Sequence, residues 1–599
     1  MIIFQQKIYS LILVYKLFFF HNLSIIISMD IHYHKRRVIN LGDFIDSTAK
    51  QTDETQINEP YLINNLQLYN PIYEKLFKLS DTNYNSISLN HKYHIKNSNE
   101  VYEVVDNKTV DTSRNIFIKF SPLLDPVKYM TGKYDINDPK LLVLPSLSSN
   151  EENCHKKTLC VHNASYVDNF FYFLSSVLLN QYHFIHGMDY YGSFLGIQKN
   201  FKVNLTDDLE YISSSDFFVK NIGILFSADD LKINNEIVQT KKNKSILNIS
   251  NNDTDIDIDF IDLSSTNYDH IDGMKPCSVV EYDMSEICRI DTTDTLSESS
   301  DDNSETNYSE KDEIVDMKKV YDDDDDDDDD YETSEYTDTS DSEYTDNDFE
   351  EIFAHIKNFP TQMICLEKCE NTLDQLLMDE NLDDKKASSF LFQVVMTLLT
   401  YQKVFNFTHN DLHTNNIMYV STKQKFLWYK YKNVCYKVPT YGKIFKLIDF
   451  GRSIYNFKGD VFCSDSFFPD GDGETQYNCE PFYDETKKRI DPNFSFDLCR
   501  LGCSLYDFIF DDDTDLSKLT QLQVTVKRWV TDDNDYNILY KKNGAERYRG
   551  FKLYKMISRT VTTHTPENQL NYSFFNQFKC KNKNIPDDIM NIDALPKLV

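Results

Sequence analysis

The sequence predicts a large mixed α+β fold that is interrupted by one long acidic segment. Hydrophobic residues make up 41% of the 599 residues and aromatic residues 14%, which is enough for a large buried core. Strand-like and helix-like apolar patterns occur on both sides of residues 236–352. That stretch is of low complexity and contains nine consecutive aspartates, Asp322–Asp330, whose mutual repulsion opposes burial.

The composition divides the chain into six segments. They are an apolar N-terminal segment (1–28), a polar extension (29–75), a first globular part (76–235), an acidic insertion (236–352), a second globular part (353–580) and a tail (581–599). Within the insertion, residues 291–351 hold 28 Asp or Glu against three Lys, a net charge of −25 out of −34 for the whole chain. We expect the insertion to be disordered and to suit a basic partner. The rest of the chain is only mildly acidic, which argues against a nucleic-acid partner.

The apolar N-terminal segment has two interpretations. Lys7 and Lys16 interrupt it, a spanning helix needs about 20 predominantly apolar residues, and a central Lys costs about 2.5–3.5 kcal/mol on insertion scales. One interpretation is a weak membrane anchor. The other, which we favour, is that the functional start is Met29 and that the protein is cytoplasmic. The twelve cysteines have no metal-ligand or disulfide spacing, which fits a reducing compartment.

The strongest functional signal is carried by two stretches, His409–Asn416 and Lys446–Gly451. Asp411 and Asn416 are five residues apart in a polar stretch, and Asp449 ends an apolar strand just before a glycine that permits a sharp turn. Phosphoryl transfer needs a carboxylate that orients a hydroxyl and accepts its proton, and oxygen ligands that hold Mg²⁺ against the phosphates. Asp411 suits the first role, and Asn416 and Asp449 suit the second.

These two stretches resemble the HxDxxxxN catalytic loop and the DFG motif of eukaryotic-type protein kinases. Two further stretches carry the resemblance: Gln362–Asp374 is similar to the last small-lobe strand and hinge, and Ser495–Gly502 is similar to the helix whose Asp braces the catalytic loop. The pattern is also similar to kinase-like proteins of giant DNA viruses, for which the compartment would be the host cytoplasm or the virion. The resemblance implies a two-lobed protein kinase fold of α+β class, with the acidic insertion inside the small lobe.

The resemblance also assigns residues that would contact ATP. Lys119, near the end of the alternating, strand-like stretch Asn115–Phe120, would bind the α- and β-phosphates. Val101 would cover the adenine, and the backbone of Glu367 and Cys369 would bind it. A helix expected over Tyr166–Gln181 would carry the partner of this lysine.

Asp168 is the only acid on that helix, where the family usually has Glu, and we name it as the partner of Lys119. The sequence departs from the family in a second way. The three glycines of the nucleotide loop would fall at His94, Lys96 and Asn99, so the phosphate cradle must be built differently or nucleotide binding is weakened.

The resemblance implies an enzyme that uses ATP and Mg²⁺ to phosphorylate Ser or Thr hydroxyls of protein substrates. His413 stands where Ser/Thr kinases have Lys, and Asn410 stands where the family has the Arg that pairs with an activation-loop phosphate. Activation by loop phosphorylation is therefore not expected. Two alternatives remain open: a pseudokinase that acts as a binding or scaffold protein, and a small-molecule kinase.

A last stretch, residues 422–446, carries seven Lys and no acid, with aromatic residues between the lysines. The pattern predicts an exposed β-hairpin. Basic and aromatic residues in alternation can bind single-stranded nucleic acid, but a solvated hairpin is the interpretation that we favour.

Overall fold

The computed structural model describes residues 33–35, 63–90, 92–96, 100–105, 108–206, 208–228, 352–379, 382–510, 514–580, 585–586 and 588–599. The N-terminal segment, most of the polar extension and all but the last residue of the acidic insertion lie outside these residues, and so do the predictions made for them. The described residues form an α+β fold, as predicted. None of their helices combines the length and the apolar character that crossing a membrane requires.

The part of the chain before the insertion contains most of the strands of the central sheet. Its strands are β1 (Tyr33–Lys35), β2 (Ile63–Gln67), β3 (Ile87–Leu89), β4 (Tyr93–Ile95), β5 (Glu100–Val105), β6 (Lys108–Ser113), β7 (Ile116–Pro122), β8 (Tyr190–Asn204) and β9 (Phe226–Ala228). Its helices are α1 (Pro126–Met130), α2 (Lys156–Leu159), α3 (Ala164–Tyr182), α4 (Leu209–Ser213) and α5 (Asp216–Asn221).

The part after the insertion contributes one long strand to that sheet and then becomes mainly helical. Its strands are β10 (Phe353–Glu367), β11 (Asn371–Thr372), β12 (Ile417–Ser421), β13 (Phe426–Tyr431), β14 (Val434–Pro439), β15 (Lys443–Leu447), β16 (Ile454–Phe457), β17 (Asp460–Cys463), β18 (Lys579–Cys580) and β19 (Met590–Asn591). Its helices are α6 (Leu373–Asp379), α7 (Asp384–Phe405), α8 (Phe496–Ile509), α9 (Gln521–Trp529), α10 (Lys552–Thr560), α11 (Pro566–Gln569) and α12 (Ser573–Asn576).

The central sheet joins residues from both sides of the insertion. Its strand order is β2-β8-β10-β7, with β9 also paired to β10, and all of these pairs are antiparallel. In the register, Ile364 of β10 lies opposite Lys119 of β7 on one side and Ser193 of β8 on the other. The apolar run of β10 from Met363 to Leu366 is fully buried, because Ile364 and Leu366 enter one core cluster and Met363 and Cys365 enter another.

Helix α3 fixes the position of this sheet relative to the C-terminal part. Asn163 caps it by accepting a hydrogen bond from Ser165 N, and His183 ends it in the left-handed region at φ 57°. In its middle, the Phe171 ring stacks on Phe407 at a centroid distance of 4.3 Å and packs on Phe450 at 4.7 Å. Large buried aromatic rings dominate core energetics, so α3 is anchored on the two loops that carry the predicted catalytic motifs.

The lysine-rich stretch forms the predicted hairpin, but the prediction that the hairpin is exposed is wrong for one of its faces. Strands β13 and β14 pair antiparallel and belong to a four-stranded sheet of order β18-β14-β13-β19. Leu427 and Tyr429 of β13 and Val438 of β14 are buried. Phe426, Trp428 and Lys437 lie on the other face, where Lys437 Nζ sits 4.0 Å from the centre of the Phe426 ring.

Deletion of residues 291–351 is expected to leave the melting temperature within about 4 °C of that of the full chain. The chain segments on the two sides of the insertion are held side by side, because Ala228 of β9 pairs with Ala354 of β10. The deletion roughly halves the connecting segment, and each doubling of loop length costs only about 0.6 kcal/mol in closure entropy. Thermal denaturation measures this, with a Gly/Ser replacement of equal length as the control. A fall of ten degrees or more in the deletion alone would show that the acidic residues stabilise the fold.

Candidate active site

The two predicted catalytic motifs lie side by side because the strands next to them are paired. Ile417 of β12 is opposite Leu447 of β15, and Ile448 N donates a hydrogen bond to Asn416 O at 3.1 Å. The ring nitrogen Nε2 of His409 lies 2.9 Å from Ile448 O. The chain segment before β12 and the segment after β15 therefore meet at one end of this small sheet.

Three charged side chains meet at this point. Lys119 Nζ lies 2.8 Å from Asp168 Oδ2 and 2.9 Å from Asp449 Oδ1. Lys119 comes from β7, Asp168 from the second turn of α3 and Asp449 from the segment after β15. The lysine and the two acids were predicted from sequence for one site, and the structure brings them into direct contact.

Burial and the charges of neighbouring groups together set the pKa of each of these side chains. Burial alone would lower the pKa of Lys119, but the carboxylates of Asp168 and Asp449 outweigh it and hold that pKa well above its usual value. Burial raises the pKa of Asp168 to about 6, against the opposing effect of the lysine. Burial also acts to raise the pKa of Asp449, but Lys119 lowers it below the usual range. At pH 7 all three groups are therefore charged, with one cation between two anions.

Asp168 couples helix α3 to the backbone of the second motif. Its Oδ1 accepts a hydrogen bond from Phe450 N at 2.7 Å while its Oδ2 pairs with Lys119. One turn further along α3, the Tyr172 hydroxyl accepts a hydrogen bond from Asp449 N at 2.8 Å. The shorter side chain of Asp, in place of the family's Glu, reaches both partners because the helix lies directly against this loop.

Asn416 and Asp449 offer oxygen atoms suited to Mg²⁺. The Nδ2 group of Asn416 donates to Asp411 O at 2.9 Å and lies 3.0 Å from His413 Nε2, so its hydrogens are used and its Oδ1 is left for another partner. Among the described residues, none donates to Asp449 Oδ2, and that side chain is 40% exposed. No cluster of three or more His, Cys, Asp or Glu side chains suited to a metal occurs in the described ranges. Two protein oxygens nevertheless fit Mg²⁺, which commonly binds one or two carboxylates together with substrate phosphates.

Asp411 is buried with one carboxylate oxygen held in place. Its Oδ1 accepts a hydrogen bond from the Tyr554 hydroxyl at 2.8 Å, and Arg500 Nε lies 3.9 Å from the same atom. Burial acts to raise the pKa of Asp411, but coulombic interactions, first with His413 and then with Arg500, lower it below the usual value. Burial lowers the pKa of His413 to about 4, so at pH 7 this imidazole is neutral and the arginine supplies the charge.

Asp497, at the start of α8, holds the backbone of the predicted catalytic loop. Its carboxylate accepts hydrogen bonds from His409 N at 2.9 Å and from Asn410 N at 2.9 Å, and the side chain is fully buried. Substituting Asp497→Ala is expected to lower the free energy of unfolding by about 2–6 kcal/mol, because two buried N–H groups lose their acceptor at about 1–3 kcal/mol each. Chemical denaturation measures this. Asp497→Asn, which keeps one oxygen acceptor, should lose less, and equal losses in the two variants would contradict the explanation.

The segment after the second motif is tied to helix α3 and to the catalytic loop. Asp465 Oδ2 pairs with Lys157 Nζ at 2.6 Å, and its Oδ1 accepts from Ala164 N, the first residue of α3, at 3.0 Å. Asn410 Nδ2 donates to Arg452 O at 2.9 Å. These contacts connect the segment to the start of α3 and to the loop that holds Asp411.

The residues predicted to bind adenine lie at the end of β10 and in the small sheet β4-β5-β6. The Glu367 side chain pairs with buried Lys446, and its N–H donates to Asp189 O at 2.9 Å. Among the described residues, none accepts a hydrogen bond from Cys369 N. Val101 of β5 is fully buried and lies opposite Ile95 of β4. Along the chain, β6 follows β5 and precedes β7, the strand that carries Lys119. No hydrogen bond or ion pair joins Val101, Glu367 or Cys369 to Lys119, Asp168 or Asp449.

Several residues of the site were not found from the sequence. Tyr172, Arg500 and Tyr554 contact the predicted residues but were given no role from the sequence. Arg500 lies within the Ser495–Gly502 stretch, and Tyr172 and Tyr554 lie in none of the motifs. Lys446 also contacts a predicted residue, because it pairs with Glu367. The sequence indicated this only weakly, through a charged residue directly before the apolar end of a strand. For the two tyrosines, no sequence pattern distinguishes a core residue from a residue that binds a catalytic group.

Comparison with known proteins adds one short match. No family model matches the chain. A stretch of 75 residues is 39% identical to an uncharacterized protein, 098R, of Invertebrate iridescent virus 6. The matched stretch covers 12% of this chain and 12% of that protein. This similarity concerns a small part of each chain and assigns neither a family nor an activity.

Proposed function

We propose that this protein is a kinase of the protein-kinase type, with two lobes, that transfers the γ-phosphate of ATP to Ser or Thr hydroxyls of protein substrates. The observation that carries the proposal is the contact of Lys119 with both Asp168 and Asp449, next to the loop that holds Asp411. A cation between two anions at a loop of this kind can exchange one carboxylate for a phosphate. The amine would then bind the α- and β-phosphates while Asp168 keeps it in place.

The proposed reaction needs one proton acceptor and no covalent intermediate. The substrate hydroxyl oxygen attacks the γ-phosphorus, and the bond from that phosphorus to the oxygen bridging it to the β-phosphate breaks. ADP leaves, and the hydroxyl proton passes to Asp411. Asp411 suits this step because it is ionised at pH 7 and is held in a fixed orientation.

Mg²⁺ would be held by Asp449 and Asn416 and would neutralise the charge of the phosphates. The free oxygens of these two side chains support this assignment. Asn416 and Asp411 are linked directly, since Asn416 Nδ2 donates to Asp411 O. The residue that accepts the proton would therefore keep a fixed position relative to a residue that binds the metal.

A second candidate function, nucleotide binding without transfer, is favoured by one observation. His94 stands where the family has the first glycine of its phosphate loop, and its ring is buried and stacked on Tyr102 at a centroid distance of 4.9 Å. A bulky buried side chain there leaves less room for the backbone to approach a phosphate than a glycine would. A pseudokinase with a scaffold role would tolerate this change. A small-molecule kinase would instead need its acceptor site next to Asp411.

The experiment that separates the three functions follows the label of [γ-³²P]ATP. Purified protein is incubated with Mg²⁺, labelled ATP and a mixture of basic and acidic proteins, and the products are separated by size and by phosphoamino acid. The proposal predicts phosphoserine and phosphothreonine in protein, lost on chelation of Mg²⁺ and in Lys119→Met, but not in the control Lys443→Met. Label in small molecules would favour the third function, and nucleotide binding without any transfer would favour the second.

The candidate active site and the match to the iridescent virus protein support further proposals about origin, place of action and partners. We infer a viral origin and a place of action in the host cytoplasm or the virion. The proposed partners are protein substrates, together with a basic partner for the acidic insertion.

A further inference from the structure

Three buried side chains from different parts of the chain form a connected set around Asp411. Tyr554 on α10 donates its hydroxyl hydrogen to Asp411 Oδ1 at 2.8 Å. Arg500 on α8 donates from Nε to the Tyr554 hydroxyl oxygen at 3.0 Å and lies 3.9 Å from Asp411 Oδ1. The Tyr554 hydroxyl is therefore placed between a cation and an anion, with a hydrogen bond to each.

The two oxygens of Asp411 are in different environments. Oδ1 is held by the tyrosine, whereas none of the described residues donates to Oδ2. The Asp411 side chain keeps 11% of its surface exposed. A carboxylate with one oxygen fixed and the other open has a defined direction in which it can accept a proton.

Arg500 supplies a positive charge beside Asp411. Its Nε lies 3.9 Å from Asp411 Oδ1, and the Tyr554 hydroxyl bridges the two side chains. A hydrogen bond to a charged group is worth about twice a neutral one, so this bridge is a strong restraint on the carboxylate.

We propose that Tyr554, held by Arg500, is a positioning residue for the transfer reaction: it fixes Oδ1 of Asp411 so that Oδ2 faces the substrate hydroxyl. This inference rests on the proposed function, because it assumes that Asp411 accepts the proton. It adds a residue that belongs to none of the motifs described above and that lies 143 residues from Asp411 along the chain.

The alternative is that Tyr554 is only a core residue. Its ring packs against Phe551 at a centroid distance of 5.7 Å and against Phe496 at 6.1 Å. Tyr554→Phe separates the two roles, because it keeps the ring and removes the hydroxyl. The chain also offers a matched control in the same cluster of aromatic residues, since the Tyr540 hydroxyl donates to Asp507 Oδ1 at 3.1 Å.

The test is a double-mutant cycle in the full chain. Wild type, Tyr554→Phe, Asp411→Asn and the double variant are compared for kcat, for KM of ATP and for melting temperature, with Tyr540→Phe as the control. Tyr554→Phe should lower kcat about ten-fold, as expected for one charge-assisted hydrogen bond, and leave KM of ATP unchanged. In the Asp411→Asn background the same substitution should have no further effect on kcat.

Two results would overturn the inference alone: an active wild type with the same kcat in Tyr554→Phe, or an equal loss of kcat from Tyr554→Phe in both backgrounds, which indicates general structural damage. A fall in kcat for Tyr540→Phe of the same size would overturn it as well. A wild type that binds Mg-ATP but transfers no phosphate would overturn the proposed function and this inference together.

Discussion

Asp411→Asn is expected to lower kcat by about 10²–10⁴-fold, the usual contribution of a positioned general base. The affinity for ATP should change little, because Asp411 contacts none of the residues proposed to bind the nucleotide except through its backbone oxygen, which accepts from Asn416 Nδ2. The fold should also persist, since an amide oxygen can still accept the hydrogen bond that Tyr554 donates to Oδ1. Steady-state kinetics with labelled ATP measure this.

The matched control is Asp507→Asn, which also changes a carboxylate that accepts a hydrogen bond from a tyrosine. It should keep the wild-type kcat. If Asp411→Asn retains more than about a tenth of wild-type activity, Asp411 is not the base. A loss of ATP affinity in this variant would instead place it in the nucleotide site.

Asp449→Ala is expected to abolish Mg-dependent binding of ATP. The substitution removes a proposed metal ligand but leaves Lys119 paired with Asp168, so the cluster keeps one of its two ion pairs. A ligand present at about 100 times its dissociation constant stabilises the native state by about 2.7 kcal/mol, so the wild type should melt several degrees higher with Mg-ATP. The variant should show no such rise.

The control for this prediction is Asp460→Ala. Asp460 is exposed to a similar degree, at 43% against 40% for Asp449, and also pairs with a lysine, Lys75, at 3.1 Å. The control should respond to Mg-ATP as the wild type does. An unchanged response in Asp449→Ala would show that Asp449 does not hold the metal.

The elements around the site could be predicted because local patterns specify them. The alternation at Asn115–Phe120 predicted strand β7, and the helical spacing at Tyr166–Gln181 predicted α3 to within two residues. Strand β15, which ends two residues before Asp449, was visible as an apolar run that leads to an acid. Such patterns arise because one face of a strand or helix is buried, so the spacing of apolar residues shows them in the sequence itself.

Asp168 was found by elimination, as the only acid on a predicted helix, and its contact with Lys119 depends on how α3 packs. Tyr554 carried no such signal, and Arg500, although it lies within the Ser495–Gly502 stretch, was given no role from the sequence. Their contact with Asp411 is made across helices α8 and α10, and a buried tyrosine in an amphipathic helix looks like any other core residue. The exposure of the hairpin was mispredicted for a related reason, since its buried face packs on helix α7, where the Phe392 ring lies 5.7 Å from Tyr429 and 5.4 Å from Tyr436.

Whether the Lys119 cluster binds the phosphates of a nucleotide is tested most directly with an acyl phosphate of ATP, which transfers its acyl group to lysines beside the phosphates. After brief exposure of the full chain, mass spectrometry should find the label on Lys119, and excess Mg-ATP should suppress it. Lys446, which is equally hidden in an ion pair with Glu367, should stay unlabelled. Labelling of other lysines that Mg-ATP suppresses, with Lys119 unlabelled, would contradict the assignment of this cluster as the phosphate site.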